Sequence, residues 1–113
     1  MRTFLKSKIH RATVTEANLD YVGSISIDSS LMEKTGLEEY EKVAVWNISN
    51  GERIETYTVK AEQYSGTICL NGAAAKKFSK GDLVIIAAFE TTDTPTKPKI
   101  ILVDKNNKFT KYL

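Results

Sequence analysis

A single cysteine and a single histidine stand among 113 residues, and no Cys-x-x-Cys or His-Glu-x-x-His spacing occurs. One cysteine closes no internal disulfide, and a metal site would have to be built from carboxylates, none of which cluster, so no metal is expected. Gly-x-Gly-x-x-Gly, a Walker loop and Gly-x-Ser-x-Gly are all missing, which removes the dinucleotide, nucleotide and serine-hydrolase readings at the level of motif. Long apolar runs are absent too. The longest is Leu83 to Phe89, far short of a membrane span, and the start MRTFLKSKIH lacks the continuous apolar core of a secretory signal. A soluble, cytoplasmic protein without membrane contact is the expectation.

The chain has enough apolar residues, 42%, for the core of one domain over residues 1–113. Its net charge of +2 is too small to imply nucleic acid, although residues 95–113 hold five lysines against one aspartate. Two prolines in that stretch suggest a loosely attached strand or hairpin.

Short strands dominate the pattern. Phe4 to His10 alternates, with Phe4, Lys6, Lys8 and His10 on one face and Leu5, Ser7 and Ile9 on the other. Ser30 and Glu33 have capping-box spacing and Gly36 is a helix stop, which predicts a helix of one to two turns. Lys42 to Ile48 and Glu52 to Lys60 flank Asn50-Gly51, a strong hairpin signal. Gly66 to Leu70 reads as a strand, Ala73 to Phe78 as a second short helix and Leu83 to Phe89 as a buried strand. The segments MEKTGLEEYEKVAVWNI and KKFSKGDLVIIAAFE both run from a short helix through glycine into an apolar strand. This echo suggests two similar units in a small closed barrel, a fold that leaves no unpaired edge.

DYVGSISID, residues 20–28, is the anomaly. It alternates as a strand yet contains Gly23-Ser24, and glycine inside a strand marks a bulge, a bend or a close approach to the main chain. Arg53 and Tyr57 share a strand face at i and i+4, and NGAAAKK, Asn71 to Lys77, is a turn into a helix whose small side chains leave backbone N–H groups accessible.

Taken in order, Lys8-Ile9-His10-Arg11, Leu19-Asp20-Tyr21-Val22-Gly23-Ser24, Trp46 to Arg53, Thr56-Tyr57 and Asn71-Gly72-Ala73-Ala74-Ala75 resemble the aspartate α-decarboxylases. These are pyruvoyl-dependent enzymes that make β-alanine for pantothenate, and the resemblance covers residues 1–90. It implies a mainly β fold, a small closed double-psi β-barrel with two short helices. It also implies a homo-tetramer with active sites between subunits. In such a chain the Ser24 hydroxyl attacks the Gly23 carbonyl and exchanges amide for ester. β-Elimination and hydrolysis then leave residues 1–23 as one chain and 24–113 as another, headed by a pyruvoyl group. That group would form a Schiff base with L-aspartate and replace pyridoxal phosphate.

The resemblance further implies roles for individual residues. Arg53 would clamp a substrate carboxylate and Lys8 supply a second positive charge, with Gly72, Ala73 and Ala74 offering backbone. Tyr57 would be the proton donor. Thr56 and Asn71 would assist self-cleavage, while His10, Tyr21 and Trp46 line the site. Whether maturation needs a helper protein is left open. The alternative is a non-catalytic double-psi module that binds nucleic acid or a protein partner.

Overall fold

The computed structural model describes all 113 residues. Nine strands, one α-helix and one 3-10 helix follow one another as β1 (Arg2–Thr13), β2 (Glu16–Asn18), β3 (Ser24–Asp28), α1 (Ser29–Thr35), β4 (Lys42–Asn47), β5 (Arg53–Ala61), β6 (Ile68–Asn71), the 3-10 helix (Gly72–Lys77), β7 (Leu83–Thr92), β8 (Lys99–Val103) and β9 (Phe109–Tyr112). The protein is mainly β, and the strands pair in the order β2-β6-β3-β5-β4-β7-β1-β8-β9. Only Val14 and Thr15 separate β1 from β2, so the sheet curves enough to bring its first strand in this order back beside the seventh. Such curvature is consistent with a small β-barrel.

Alternation places Ile9, Ile25, Ile27, Val43, Val45, Ile68, Leu70, Val84, Ile86 and Ile101 inside, all essentially inaccessible to solvent. Leu31 and Met32 of α1 close one end of this core. The two units of the sequence echo meet directly, because β4 and β7 pair antiparallel with Val45 opposite Ile86. The hairpin between β4 and β5 is present, with Trp46 opposite Arg53. Its loop is longer than the two residues Asn50-Gly51 suggest: the Asn47 N–H donates to the Glu52 carbonyl and the Gly51 N–H to the Asn47 carbonyl.

Three sequence expectations need correction, and one short strand escaped the sequence reading. Gly23 is not inside a strand; β3 begins at Ser24, immediately after it. The second helix is 3-10 in type and starts one residue earlier than expected, at Gly72. The short strand β2 carries no alternation long enough to be noticed. Finally, the C-terminal stretch is not loosely attached. β8 runs parallel to β1 with Ile101 against Ile9, and β9 folds back on β8.

Asp28, rather than Ser30, caps α1. Its carboxylate accepts from the Ser30 N–H and Oγ at 2.8 and 2.7 Å and from the N–H groups of Tyr64 and Gly66 at 3.0 and 2.9 Å. Burial alone would raise its pKa, but the donors from Ser30, Gly66 and Tyr64 outweigh it and hold the carboxyl below its ordinary value. A depressed carboxyl stabilises the fold above its unfolded pKa, and that contribution is lost as pH falls through the folded one. Asp28→Ala removes the cap and strands buried donors, so unfolding in urea is expected to show a loss of about 3 kcal/mol at neutral pH. Asp28→Asn, which keeps one acceptor oxygen, loses less.

Candidate active site

The strand pairings bring Ser24 and Asn71 together. They are register partners across β3 and β6, and the Asn71 Nδ2 donates to Ser24 Oγ at 2.9 Å and to Ser26 Oγ at 3.0 Å. Ser24 and Asn71 are both buried. Parallel pairing of β3 with β5 sets Ile25 against Thr58, which carries Ser24 alongside Tyr57 at the same level of the sheet. Gly23, Thr56, Tyr57, Asn71, Ala73 and Ala74 accordingly line one cleft of about 440 Å³.

Gly72, between the lining residues Asn71 and Ala73, packs against Gly23. Its φ of +69° is left-handed, and a Cβ there would lie 2.7 Å from Gly23 Cα, 2.9 Å from Gly23 N and 3.0 Å from the Tyr21 carbonyl oxygen. Only glycine satisfies both constraints. A Cβ on Gly23 itself would meet nothing within 4 Å, so that residue is open to approach from its own Cβ direction.

Arg53 and Trp46 form the next station on the sheet. The guanidinium carbon stands 4.5 Å from the centre of the indole ring, and both residues line a neighbouring cleft with Ala44, Ile54 and Glu55. Stacking on the indole holds the planar fork in place while leaving its edge N–H groups free for a carboxylate. Arg53, Glu55 and Tyr57 alternate outward along β5, and Tyr57 is 37% exposed, its ring 6.5 Å from that of Tyr40.

Lys8 and His10 sit farther off. Pairing places Lys8, Ala87, Ala44 and Glu55 side by side across β1, β7, β4 and β5. Lys8 therefore shares the outward face with Arg53 and Tyr57, but three strand spacings, about 14 Å along the sheet, separate it from β5. The His10 Nδ1 is buried without a hydrogen-bond partner. Burial, then the charges of Lys8 and Arg11, lower the His10 pKa from its ordinary value, which leaves a neutral imidazole at pH 7. Tyr21 is exposed, and it is its backbone oxygen that reaches Gly72.

Some residues at and beside the cleft escaped the sequence reading. Ser26 takes the second Asn71 hydrogen, and strand alternation two residues beyond Ser24 could have pointed to it. Lys77 and Glu55 also line the Gly23 cleft, and each is tied to a surface partner, Glu52 at 3.4 Å and Lys42 at 3.5 Å. No group of three or more His, Cys, Asp or Glu side chains lies close enough together to hold a metal ion. No helix is long and apolar enough to cross a membrane.

Residues 1–110 match the family model described as aspartate decarboxylase. The chain belongs to the aspartate decarboxylase family. A relative from Caldicellulosiruptor saccharolyticus, named aspartate 1-decarboxylase, is 62% identical over 112 residues, covering 95% of this chain and 87% of the relative. Proteins of the same name from Neisseria meningitidis and Campylobacter jejuni are 53% and 58% identical, over 95% and 96% of this chain and 87% and 89% of their own. These family matches run through β8 and into β9, past residue 90, where the resemblance seen in the sequence stopped. The tail belongs to the shared domain, in keeping with Ile101 and Val103 in the core.

Proposed function

We propose that this chain is an aspartate 1-decarboxylase that releases CO2 from L-aspartate to give β-alanine for pantothenate synthesis, after cutting itself between Gly23 and Ser24. The observation that carries the reading is the arrangement at that bond: a buried hydroxyl held by Asn71, next to a glycine backed by Gly72. Its closely similar relatives, all named for this decarboxylation, support the substrate and the reaction.

The residues present fit a pyruvoyl group made from Ser24. Its Oγ adds to the Gly23 carbonyl carbon, the peptide nitrogen departs from that carbon, and an ester replaces the amide. Loss of the Ser24 Cα proton then breaks the Cβ–Oγ bond, Gly23 leaves as a carboxylate, and water displaces the nitrogen as ammonia. The Asn71 N–H points at Oγ, so it holds that oxygen in place for the attack and stabilises the negative charge that appears on it when Gly23 leaves as a carboxylate. Proximity supplies much of the remaining rate. Once formed, the pyruvoyl group supplies the electron sink for loss of the α-carboxylate.

The chain's own residues bind and protonate the substrate. Arg53, steadied by Trp46, grips a carboxylate with two N–H donors. Ala73 and Ala74 at the start of the 3-10 helix leave backbone accessible to the substrate. Tyr57 lines the cleft and donates its phenolic proton to the carbon that has lost CO2. Lys8 and His10 complete the site from a neighbouring copy in a tetramer of processed subunits, while Tyr21 stands beside Gly72 in the same chain. The distance of β1 from β5 supports this arrangement, as do the exposed aromatic rings of Tyr21, Tyr40 and Phe89. A cytoplasmic location belongs to the same reading.

Formation of β-alanine from L-aspartate, with one CO2 for each, tests the reaction; a purified, processed protein that makes neither contradicts it. Within that assay Arg53→Lys, which replaces a two-donor fork by a point charge, is expected to process normally but lose roughly ten- to a hundredfold in kcat/KM. An unchanged kcat/KM would remove Arg53 as the clamp.

A further inference from the structure

The Asn71 amide is held from three sides. Register sets Ser24 opposite Asn71 and Ser26 opposite Cys69, so alternation turns these four side chains to one face of the β3–β6 pair. Both Asn71 Nδ2 hydrogens are engaged, one by each serine oxygen, and the Cys69 thiol lies 3.2 Å from Asn71 Oδ1. The other acceptors near that thiol, Glu16 Oε2 and the Leu70 carbonyl, are at 3.8 and 3.9 Å, so Asn71 is the nearest. A primary amide rotated by half a turn would present oxygen, not N–H, to Ser24. Which way it faces is set by the donor at Oδ1 and the acceptor at the second N–H.

We propose that Cys69 and Ser26 are positioning residues for self-cleavage, the thiol donating to Asn71 Oδ1 and the Ser26 hydroxyl accepting from Nδ2, so that the remaining N–H is aimed at Ser24 Oγ. The inference rests on the self-cleavage reading above and extends it to two residues outside the Gly23 cleft. Burial first, and then the Glu16 carboxylate, push the Cys69 thiol up from its ordinary pKa, which keeps its proton available for donation.

Hydroxyl-for-thiol replacement separates orientation from packing. With the unprocessed chain isolated or synthesised fresh, loss of intact precursor is followed by denaturing mass measurement for the parent, Cys69→Ala, Cys69→Ser and Ser26→Ala. Cys69→Ala and Ser26→Ala are expected to process roughly five- to tenfold more slowly, the value of one oriented hydrogen bond, and Cys69→Ser to stay within about threefold of the parent because its O–H donates better than S–H. The loss in processing should exceed any loss in β-alanine turnover per pyruvoyl group, since Oγ no longer belongs to the processed chain. Where Cys69→Ala does not fold, Ser26→Ala tests the amide from its other side. Processing of Cys69→Ala or Ser26→Ala at the parent rate, or Cys69→Ser as slow as Cys69→Ala, overturns the assignment. A parent chain that never cleaves would instead remove the self-cleavage reading, and this inference with it.

Discussion

Gly72→Ala is expected to leave the chain uncut, or to slow cutting by about a hundredfold or more. The added methyl would meet Gly23 Cα and N at 2.7 and 2.9 Å and the Tyr21 oxygen at 3.0 Å, all of them backbone atoms that no rotamer change can withdraw. It would also occupy a left-handed φ of +69°, where a side chain costs roughly 1 to 2 kcal/mol. Relief requires moving the 3-10 helix away from the scissile bond or displacing Gly23 from Ser24. A shift of about 1 Å in a reacting pair is enough for a hundredfold loss. The damage should be local, because the contact lies just beyond the ends of β3 and β6 and outside the cluster of buried apolar side chains. Intact mass after prolonged warm incubation, together with an unfolding midpoint near the parent's, checks both halves. Normal cleavage of Gly72→Ala would show that the Gly23–Gly72 contact does not position the bond.

Tyr57→Phe separates making the cofactor from using it. The phenol sits on the outward face of β5 with Arg53 four residues before it, while the groups that meet Ser24 Oγ come from β6. Ser24 Oγ takes its hydrogen bond from Asn71 and not from the phenol, so the attack is expected to proceed without that hydroxyl. The variant is therefore expected to cleave to the same two fragments, with the pyruvoyl mass on the second. It should produce β-alanine on the order of 10² to 10⁴ times more slowly, the usual worth of a positioned general acid. A fully processed Tyr57→Phe that makes β-alanine at the parent rate would reassign the proton to water or another side chain.

How much of this was legible in the sequence depended on the range of the interaction. The alternation of Ser7 and Ile9 against Lys8 and His10, the Gly36 stop and the β4–β5 hairpin are local patterns, and each is found. Asp28 was missed as the cap because Ser30 and Glu33 offer a competing capping-box spacing, and its further partners Tyr64 and Gly66, more than thirty residues away, leave no local trace. For the C-terminal stretch, lysines and prolines suggested a loosely attached strand or hairpin; the β8–β9 hairpin is there, but parallel pairing with the distant β1 buries Ile101 and ties it down. The 3-10 form of the helix at Gly72 could not be read from NGAAAKK, whose alanines suit an α-helix.

The site divides along the same line. Arg53 and Tyr57 share a strand, so their common face follows from spacing alone. The contact between Asn71 and Ser24 needs the β3–β6 register, and the stacking of Arg53 on Trp46 needs the β4–β5 register. The separation of Lys8 and His10 from the Gly23 cleft depends on the order of the whole sheet. That last fact also turns a list of residues into a claim about assembly, since a single chain holds the parts without joining them.

Self-cleavage is the step on which the cofactor, the substrate chemistry and the positioning roles all depend, and a denaturing mass measurement on purified, folded protein addresses it directly. Two fragments are expected, residues 1–23 with an ordinary carboxylate and residues 24–113 lighter by one ammonia than a chain beginning with serine. Ser24→Ala, lacking the attacking oxygen, should give one intact chain. A parent protein that remains a single chain of full mass after prolonged warm incubation would contradict the account.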